Sequence, residues 1–312
     1  MKRHTNPLVV GTRGSPLALI QTDMIVQRLR ELHPGQEFVV EVRHFVTEGD
    51  RSQTTNVPLA QIAGRGVFVK ELEVALLEGS IDLAVHSLKD MTSDLEPGLV
   101  IAAVGLREDP RDVLVSQRQL SLAALPLGAR VGSSSPRRAA QLSALRPDLR
   151  FEPIRGNVDT RIHKVQQGEY DAAVLAAAGL IRLGLAEHIT EYFSPDICLP
   201  DAGQGALAVE TRADDIRSRE LLAMLNHKPT WAAVTAERSL LRALGGGCQV
   251  PIAAFGEIQG DHLSLRGLVA SGDYQQIIRS REQGSPDDPE ALGQALAAKL
   301  RAQGADHLLR SQ

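Results

Sequence analysis

A repeated strand–turn–helix pattern is the feature that most constrains the fold of this chain. A valine–glycine pair followed by serine–proline occurs at residues 10–16 and again at 131–136. The pattern Gly-x-x-Asp-x-Ala-Val occurs at 79–85 and, with identical spacing, at 168–174. Strand signals alternate with helix signals in both copies, which predicts α/β units built on parallel sheets. Two matched copies predict two similar α/β lobes that face each other across a cleft, with ligands at the carboxyl ends of the strands.

Local signals support this division. Residues 8–10 and 83–85 are short apolar runs typical of strands, and Phe38, Val40 and Val42 alternate as a strand should. Ser15 is a good helix N-cap and Pro16 a good first helical residue, so a helix is expected to begin there. A second helix is expected over 67–77, where Gly79 ends it.

The last third of the chain has a different pattern. Thr230 is expected to cap a helix over 231–244, and the final helix is expected at about 289–303. Between them are three strand-like runs, joined by glycine–aspartate turns; they are 252–258, 262–269 and 275–281. This predicts a small C-terminal α+β domain with a three-stranded antiparallel sheet.

Composition narrows the choice of partner and location. The 312 residues carry a net charge of −4 with 3% aromatic residues, which argues against a nucleic-acid partner. No apolar run is long enough to span a membrane, and the N-terminal residues have no signal-peptide pattern. We therefore expect a cytoplasmic protein without a membrane partner, and nothing in the sequence demands more than a monomer.

Cys248 has unusual neighbours. Three glycines precede it and Pro251 follows shortly after, so the backbone turns freely and leaves space beside the sulfur. These surroundings suit an attachment point for a bulky group, although a buried structural thiol is the alternative. Cys198 lies between apolar neighbours and is interpreted as ordinary packing. The spacing of the two cysteines suggests neither a disulfide nor a metal site.

Basic residues gather at the predicted strand ends and helix starts. Arg137 and Arg138 open the second copy of the helix after Ser135, where a cation is unfavourable unless an anion is near. The other members of this group are Arg13, Arg155, Arg161 and Arg182. Together they indicate a ligand with several carboxylates or phosphates. The alternative is that they are solvated surface arginines.

Asp90 is the exception among these charges. It follows the strand at 83–85, and Gly179 occupies the matching place in the second copy, so we expect a lone acid in basic surroundings. Such a carboxylate would stay ionised and suit the stabilisation of a cation. Lys89 has a rival interpretation as a Schiff-base nucleophile. His86 is interpreted as a strand residue with a satisfied imidazole rather than as a base.

These residues together resemble the porphobilinogen deaminases, also called hydroxymethylbilane synthases. The matching segments run in the family's order and form a specific set; they are 12–18, 66–73, 85–90, 155–161, 199–206 and 246–251. The resemblance implies a transferase of tetrapyrrole (porphyrin and heme) biosynthesis. Members join four porphobilinogen molecules head to tail, release ammonia, and hydrolyse off the linear hydroxymethylbilane.

The resemblance also implies the site. A dipyrromethane cofactor would be bound through a thioether to Cys248, and Asp90 would contact pyrrole N–H groups and stabilise the azafulvenium cation that forms when ammonia leaves. Further cofactor and substrate contacts carried over from the family are Arg13, Ser15, Lys89, Ser135, Arg137, Arg138, Arg155, Arg161 and Arg182. No metal is implied.

The family architecture implies a discontinuous first domain. It would comprise residues 1–105 and 206–227, with the second domain at 106–205 and the third at 228–312. Two positions depart from the family pattern: Thr92 replaces a proline after Asp90, and Gln61 replaces a lysine near Arg65. The loop after Asp90 is therefore expected to be less rigid, while the central chemistry is untouched.

Two other functions would share part of this pattern. A two-lobed polyanion-binding protein without catalytic activity would have the lobes and arginines, but it would have no use for Cys248 or Asp90. A cysteine-nucleophile transferase or hydrolase needs a histidine base near the thiol, and no motif provides one. The end of a helix also disfavours a thiolate.

Overall fold

A computed structural model of the chain describes residues 7–35, 39–55, 66–246 and 250–310, and the side chains of these residues except 52–55. The chain forms two compact units. The first unit is Met1–Arg107 with Ala206–Trp231, and the second is Glu108–Gly205 with Ala232–Gln312. Within the described ranges, no helix combines the length and apolar character needed to span a membrane.

Helices and strands alternate along most of the chain. Up to residue 107 they are β1 (Leu8–Arg13), α1 (Pro16–Leu32), β2 (Val40–Phe45), α2 (Glu48–Thr55), α3 (Lys70–Leu77), β3 (Leu83–Ser87) and β4 (Leu99–Val104). The next are β5 (Asp112–Ser116), β6 (Arg130–Gly132), α4 (Pro136–Ser143), β7 (Arg150–Glu152), α5 (Val158–Gln166), β8 (Ala172–Ala176), α6 (Ala177–Arg182) and β9 (Glu191–Tyr192). The last are β10 (Leu207–Arg212), α7 (Ile216–Ala223), α8 (Lys228–Ala243), β11 (Ile252–Gln259), β12 (His262–Ala270), β13 (Ile277–Gly284), α9 (Pro289–Ala302) and α10 (Ala305–Arg310).

The two larger sheets have the same topology. The strand order is β2-β1-β3-β10-β4 in the first unit and β7-β6-β8-β5-β9 in the second. The first three strands of each order are parallel, and the fourth is antiparallel to both of its neighbours. Two similar α/β lobes are therefore confirmed. The sheets are mixed rather than purely parallel, because β10 and β5 come from outside the repeated segments.

The repeated Gly-x-x-Asp pattern has a clear structural cause. The carboxylate of Asp82 accepts a 2.8 Å bond from the Val9 backbone N–H, and that of Asp171 accepts a 2.8 Å bond from the Arg130 N–H. Gly79 and Gly168 both have φ between +70° and +79°, a conformation that costs glycine little. Each pattern therefore ends a helix and fixes the register of the next strand.

Close packing at the centre of each sheet also explains the valine–glycine pairs. A Cβ at Gly11 would lie 2.4 Å from the Ile81 side chain, and one at Gly132 would lie 2.9 Å from Ile154. Both contacts are too close for a real side chain. Glycine therefore lets the neighbouring apolar side chains cover the sheet at the same position in both units.

The predicted three-stranded antiparallel sheet is confirmed as β11-β12-β13. Two-residue and longer turns join its strands, with Gly260 at φ +63° in the first. Helices α8 and α9 cover it, and Leu240, Leu265 and Leu296 are fully buried between them. The Glu237 carboxylate on α8 accepts backbone N–H bonds from Gly203 and Gly256, which ties this layer to the rest of the second unit.

Some element boundaries differ from the predictions. Helix α8 begins at Lys228, before the predicted Thr230 cap, because the His227 imidazole accepts the Thr230 N–H and takes the capping position. Helix α3 begins at Lys70, since residues 67–69 form a turn. The short helix α10 was not predicted. Phe38, predicted to lie in a strand, falls outside the described residues.

Candidate functional site

A small pocket of the first unit opens where β3 ends. Its wall includes Arg13, Gln21, Phe68, His86, Ser87 and Asp90. Asp90 ends a single 3-10 turn, Leu88–Asp90, that directly follows the strand. The pocket therefore contains the predicted Asp90 and Arg13 together.

Arg13 connects several groups in this pocket. Its guanidinium makes two hydrogen bonds to the Asp50 carboxylate, at 2.5 and 3.2 Å, and lies 4.0 Å from an Asp90 oxygen. It also stacks 4.3 Å from the centre of the Phe68 ring. This arrangement fixes the cation beside Asp90.

The expectation of a lone acid is wrong at this point. Asp50 is a second carboxylate on Arg13, and it also accepts bonds from the Thr47 N–H and hydroxyl. Although burial acts against ionisation, the Arg13 guanidinium lowers the pKa of Asp50. No sequence signal pointed to Asp50, because it lies 37 residues from Arg13 in a different element.

Ser15 and Lys89, the other predicted site residues of this unit, lie at the start of α1 and in the turn before Asp90. Ser15 caps α1 by accepting the Ala18 N–H at 3.3 Å, as predicted, and its hydroxyl keeps a proton to donate. Lys89 lies in the 3-10 turn between Leu88 and Asp90 and is half-buried. On the pocket wall, the Ser87 hydroxyl and the buried Gln21 amide bond to each other at 3.1 Å.

A buried histidine and two buried glutamates lie behind this pocket. The His86 Nε2 atom is 3.1 Å from a Glu210 carboxylate oxygen, and both side chains are almost completely buried. Glu73 on α3 is also buried, and burial together with the charge of Glu210 raises its pKa to about 7. Sequence reasoning missed both glutamates, and the interpretation of His86 as a simple strand residue omitted its charged neighbour.

In the second unit, Ser135 begins α4 much as Ser15 begins α1. Its hydroxyl accepts the Arg138 N–H at 3.5 Å, with Pro136 as the first helical residue. Arg137 and Arg138 then turn inward and are buried. The alternative that they are solvated surface arginines is therefore wrong for these two.

Asp112 is the anion that the two arginines required. Its fully buried carboxylate accepts bonds from Arg137 at 2.6 and 3.3 Å and from the Arg138 Nε at 2.9 Å. The Gln204 amide adds a bond at 2.9 Å. Burial acts against ionisation, but the two guanidiniums outweigh it and hold the pKa of Asp112 well below its usual range.

Cys198 completes this buried network. Its thiol donates to Asp112 at 3.4 Å, so its surroundings are polar on one side rather than ordinary apolar packing. Burial, then the charge of Asp112, raises the pKa of the Cys198 thiol to about 12. A thiol held in its protonated form is a poor nucleophile, which agrees with the interpretation of Cys198 as a structural residue.

The remaining arginines of the second unit lie on or next to helices. The Arg161 Nε donates to the Gly156 carbonyl at 2.8 Å, and an Arg182 nitrogen donates to the Gly205 carbonyl at 2.7 Å. Burial lowers the pKa of Arg155, and it lowers that of Arg182 to about 10. The Arg182 guanidinium has lost much of its water, so an anion would be favourable beside it.

Several predicted positions cannot be compared with the structure. Cys248, Gln61 and Arg65 lie outside the described residues. At the other departure from the family pattern, the Thr92 hydroxyl donates to the Asp94 carbonyl at 2.5 Å, so the loop after Asp90 is tied by this bond instead of by a proline ring.

Comparison with known proteins identifies the family. Residues 8–220 match the family model described as porphobilinogen deaminase, dipyromethane cofactor binding domain, and residues 231–302 match its C-terminal domain. The porphobilinogen deaminase of Roseiflexus sp. (strain RS-1) is 51% identical over 97% of this chain and 98% of its own length. The porphobilinogen deaminase of Methylobacillus flagellatus is 50% identical over 97% of this chain and 96% of its own length.

Solved structures give a more distant likeness. The Bordetella pertussis BvgS periplasmic VFT2 domain is 16% identical, with a TM-score of 0.38 over 69% of this chain and 85% of its own. A periplasmic binding protein from Brucella ovis with glutathione bound is 15% identical, with a TM-score of 0.40 over 76% of this chain and 68% of its own. The sequence matches are far stronger, and on them the chain belongs to the porphobilinogen deaminase family.

Proposed function

We propose that this chain is a transferase that joins four porphobilinogen molecules into linear hydroxymethylbilane and releases four molecules of ammonia. The observation that carries the proposal is the Asp90 carboxylate on the wall of a pocket beside the Arg13 guanidinium. Family membership supports the same reaction over nearly the whole chain. The proposed reaction would be a step of porphyrin (heme) biosynthesis.

Asp90 is the proposed catalytic residue. When ammonia leaves the aminomethyl carbon of porphobilinogen, positive charge develops on the pyrrole, and a fixed carboxylate stabilises that charge. Arg13 and its partner Asp50 hold the Asp90 carboxylate in a fixed electrostatic environment, since Arg13 is already paired and stacked on Phe68. A prepositioned carboxylate needs no reorganisation as the cation forms. Lys89 and Ser15 are proposed as polar contacts to the substrate on the same unit.

The arginines of the second unit are proposed to bind the acetate and propionate groups of the pyrroles. The buried Nε atoms of Arg137 and Arg182 have no hydrogen-bond acceptor among the described residues. An anionic ligand would satisfy such orphaned donors, so these residues fit a polycarboxylate. The proposed contacts of this unit are Ser135, Arg137, Arg138, Arg155, Arg161 and Arg182.

Asp112 gives Arg137 and Arg138 a special position within this set. Some N–H groups of each arginine already donate to the shared Asp112 carboxylate, which holds both planar guanidiniums in place. The other N–H groups of each guanidinium would then bind a ligand carboxylate at little further cost in side-chain entropy, because the side chains are already ordered. Asp112 is thus a positioning residue for the two arginines.

Dipyrromethane is the proposed cofactor, and Cys248 its proposed attachment point through a thioether. Bound there, it would supply the pyrrole end from which the product chain grows. The glycines at 245–247 carry no side chains, which suits the attachment of a bulky group to the next residue. Cys198 cannot serve this purpose, since it is fully buried.

We further propose the domain boundaries implied by the family. They are 1–105 with 206–227, 106–205, and 228–312. The proposed active form is a cytoplasmic monomer with porphobilinogen as its small-molecule partner, without a nucleic-acid or membrane partner and without a metal.

Turnover measurements test the proposal directly. The purified holoprotein is incubated with porphobilinogen, and ammonia and linear tetrapyrrole are quantified; four molecules of ammonia per hydroxymethylbilane are expected. Asp90→Asn should lower this activity by on the order of 100-fold or more, while Asp23→Asn on the exposed face of α1 should keep it. Tight binding of a pyrrole polycarboxylate without ammonia release would instead establish the alternative, a binding protein without catalytic activity.

A further inference from the structure

Three buried titratable side chains lie on three adjacent elements next to the Asp90 pocket. Glu73 lies on α3, His86 on β3 and Glu210 on β10, and each is less than a tenth exposed. His86 also forms part of the pocket wall. The cluster Glu73–His86–Glu210 therefore lies next to the pocket that contains Asp90, and the proposed chemistry does not use it.

The strand register explains why His86 and Glu210 meet. In the antiparallel pair of β3 and β10, His86 lies opposite Ala208 and Glu210 lies opposite Ala84. Side chains two residues apart on a strand share one face, so His86 and Glu210 are diagonal neighbours on the same side of the sheet. Ala84 on that face packs with Leu72 and Leu76 of α3, the helix that carries Glu73.

The carboxylate of Glu210 lacks the partners that a buried charge needs. Neither of its oxygens accepts a hydrogen bond from a described residue, and the nearest charged group is the His86 Nε2 at 3.1 Å. A bare carboxylate without donors is very costly in an apolar interior. Among the described residues, the His86 imidazole is therefore the group placed to compensate this buried acid.

Glu73 adds a titrating carboxyl group beside this pair. Burial first, and the charge of Glu210 second, raise the pKa of Glu73 to about 7, while His86 acts in the opposite direction. The exposed Glu96, in the segment before β4, adds a smaller repulsion. Because Glu210 and His86 act on Glu73 in opposite directions, its titration depends on both neighbours.

A metal ion is not needed to explain the cluster. In the part of the chain that the structure describes, no group of three histidine, cysteine or acidic side chains has a geometry that could hold a metal ion. The charge behind the pocket becomes more negative by one unit when Glu73 loses its proton.

We propose that Glu73, His86 and Glu210 form a proton-holding cluster whose charge acts on the developing cation at Asp90. The three are positioning residues, since they act through the Asp90 pocket and not on the substrate directly. The inference rests on the proposed function. Loss of the Glu73 proton adds a negative charge behind the pocket, so the cation is stabilised more strongly once the pH rises through the titration of Glu73.

A pH profile of kcat tests this role. One unit charge acting over roughly 10 Å at an effective dielectric constant of about 20 changes a rate on the order of tenfold. We expect kcat of the wild-type holoenzyme to rise by about that factor through pH 7, and Glu73→Gln to lose the rise because its amide cannot ionise. Glu73→Asp, which keeps a carboxyl group, should retain a rise. Glu78→Gln, an exposed change just after α3, should leave the profile unchanged.

Infrared spectroscopy tests the cluster without turnover. A protonated carboxyl group absorbs apart from a carboxylate, so the wild-type protein should lose a protonated-carboxyl band as the pH rises through about 7. This band should be absent from Glu73→Gln and should titrate at higher pH in His86→Gln, since the imidazole favours the charged form of Glu73. The inference is overturned if Glu73→Gln keeps either the band or the kcat rise. Absence of turnover in the wild-type protein would instead remove the proposed function and leave the infrared result intact.

Discussion

Replacing Asp112 by asparagine would leave two buried guanidinium groups without their shared counter-charge. The carboxylate accepts bonds of 2.6 and 3.3 Å from Arg137, 2.9 Å from Arg138 and 2.9 Å from Gln204. Asparagine keeps the size, but its amide nitrogen is a donor that would face other donors. Removal of one partner from a buried ion pair costs about 3–5 kcal/mol. We expect the free energy of unfolding to fall by that amount at neutral pH.

Urea unfolding followed by circular dichroism measures this loss. Glu152→Gln is the matched control, because it breaks the exposed Arg130–Glu152 pair, and it should change the free energy of unfolding by at most about 1 kcal/mol. The pKa of Asp112 is lowered on folding, so its contribution is present above its ordinary value of 3.8 and is lost only as the pH falls below that value. The difference between wild type and variant should thus be constant from about pH 5 to pH 8. A loss no larger than that of the control would refute the reasoning.

Three further changes have expected outcomes. Asp90→Asn should lower turnover by on the order of 100-fold or more without loss of fold, since it removes a preorganised charge; near-normal kcat would contradict its role. Arg138→Lys should retain the cofactor only partly and accumulate intermediates whose masses differ by one pyrrole unit, because an ammonium lacks the planar fork; complete loading and normal product release would contradict this. Folding raises the pKa of Glu73 from 4.5 to about 7, so the free energy of unfolding of the wild-type protein falls as the pH rises between these values. Glu73→Gln should therefore be more stable than wild type by about 1–3 kcal/mol at pH 8 and equal to it at pH 4. A stability difference that does not vary with pH, measured by thermal unfolding, would exclude this reasoning.

Features governed by local chemistry were predictable from the sequence. Ser15 and Ser135, each followed by proline, cap α1 and α4 as expected. The matched Gly-x-x-Asp patterns indicated two related sheets, and the bonds of Asp82 and Asp171 to neighbouring strands show why the pattern repeats. In these cases the residues that act together are close in sequence or occupy equivalent positions.

Features that depend on distant partners were not predictable. Asp112 lies 25 residues from Arg137, and its signal was a charged residue placed directly before the apolar run of β5. Glu210 meets His86 only through the register of β10 on β3. A buried acid at the start or within a strand is a usable warning that a cation or a proton must accompany it, but the sequence does not say which one.

The intact mass of the purified protein tests the central claim most directly. The account predicts a mass above that of the polypeptide by two linked pyrrole units, with the modified peptide containing Cys248. The Cys248→Ser variant should lack the thioether-linked adduct. The Cys198→Ser variant should keep both the adduct and the activity. A fully active protein with the unmodified polypeptide mass, or an adduct on Cys198, would contradict the account.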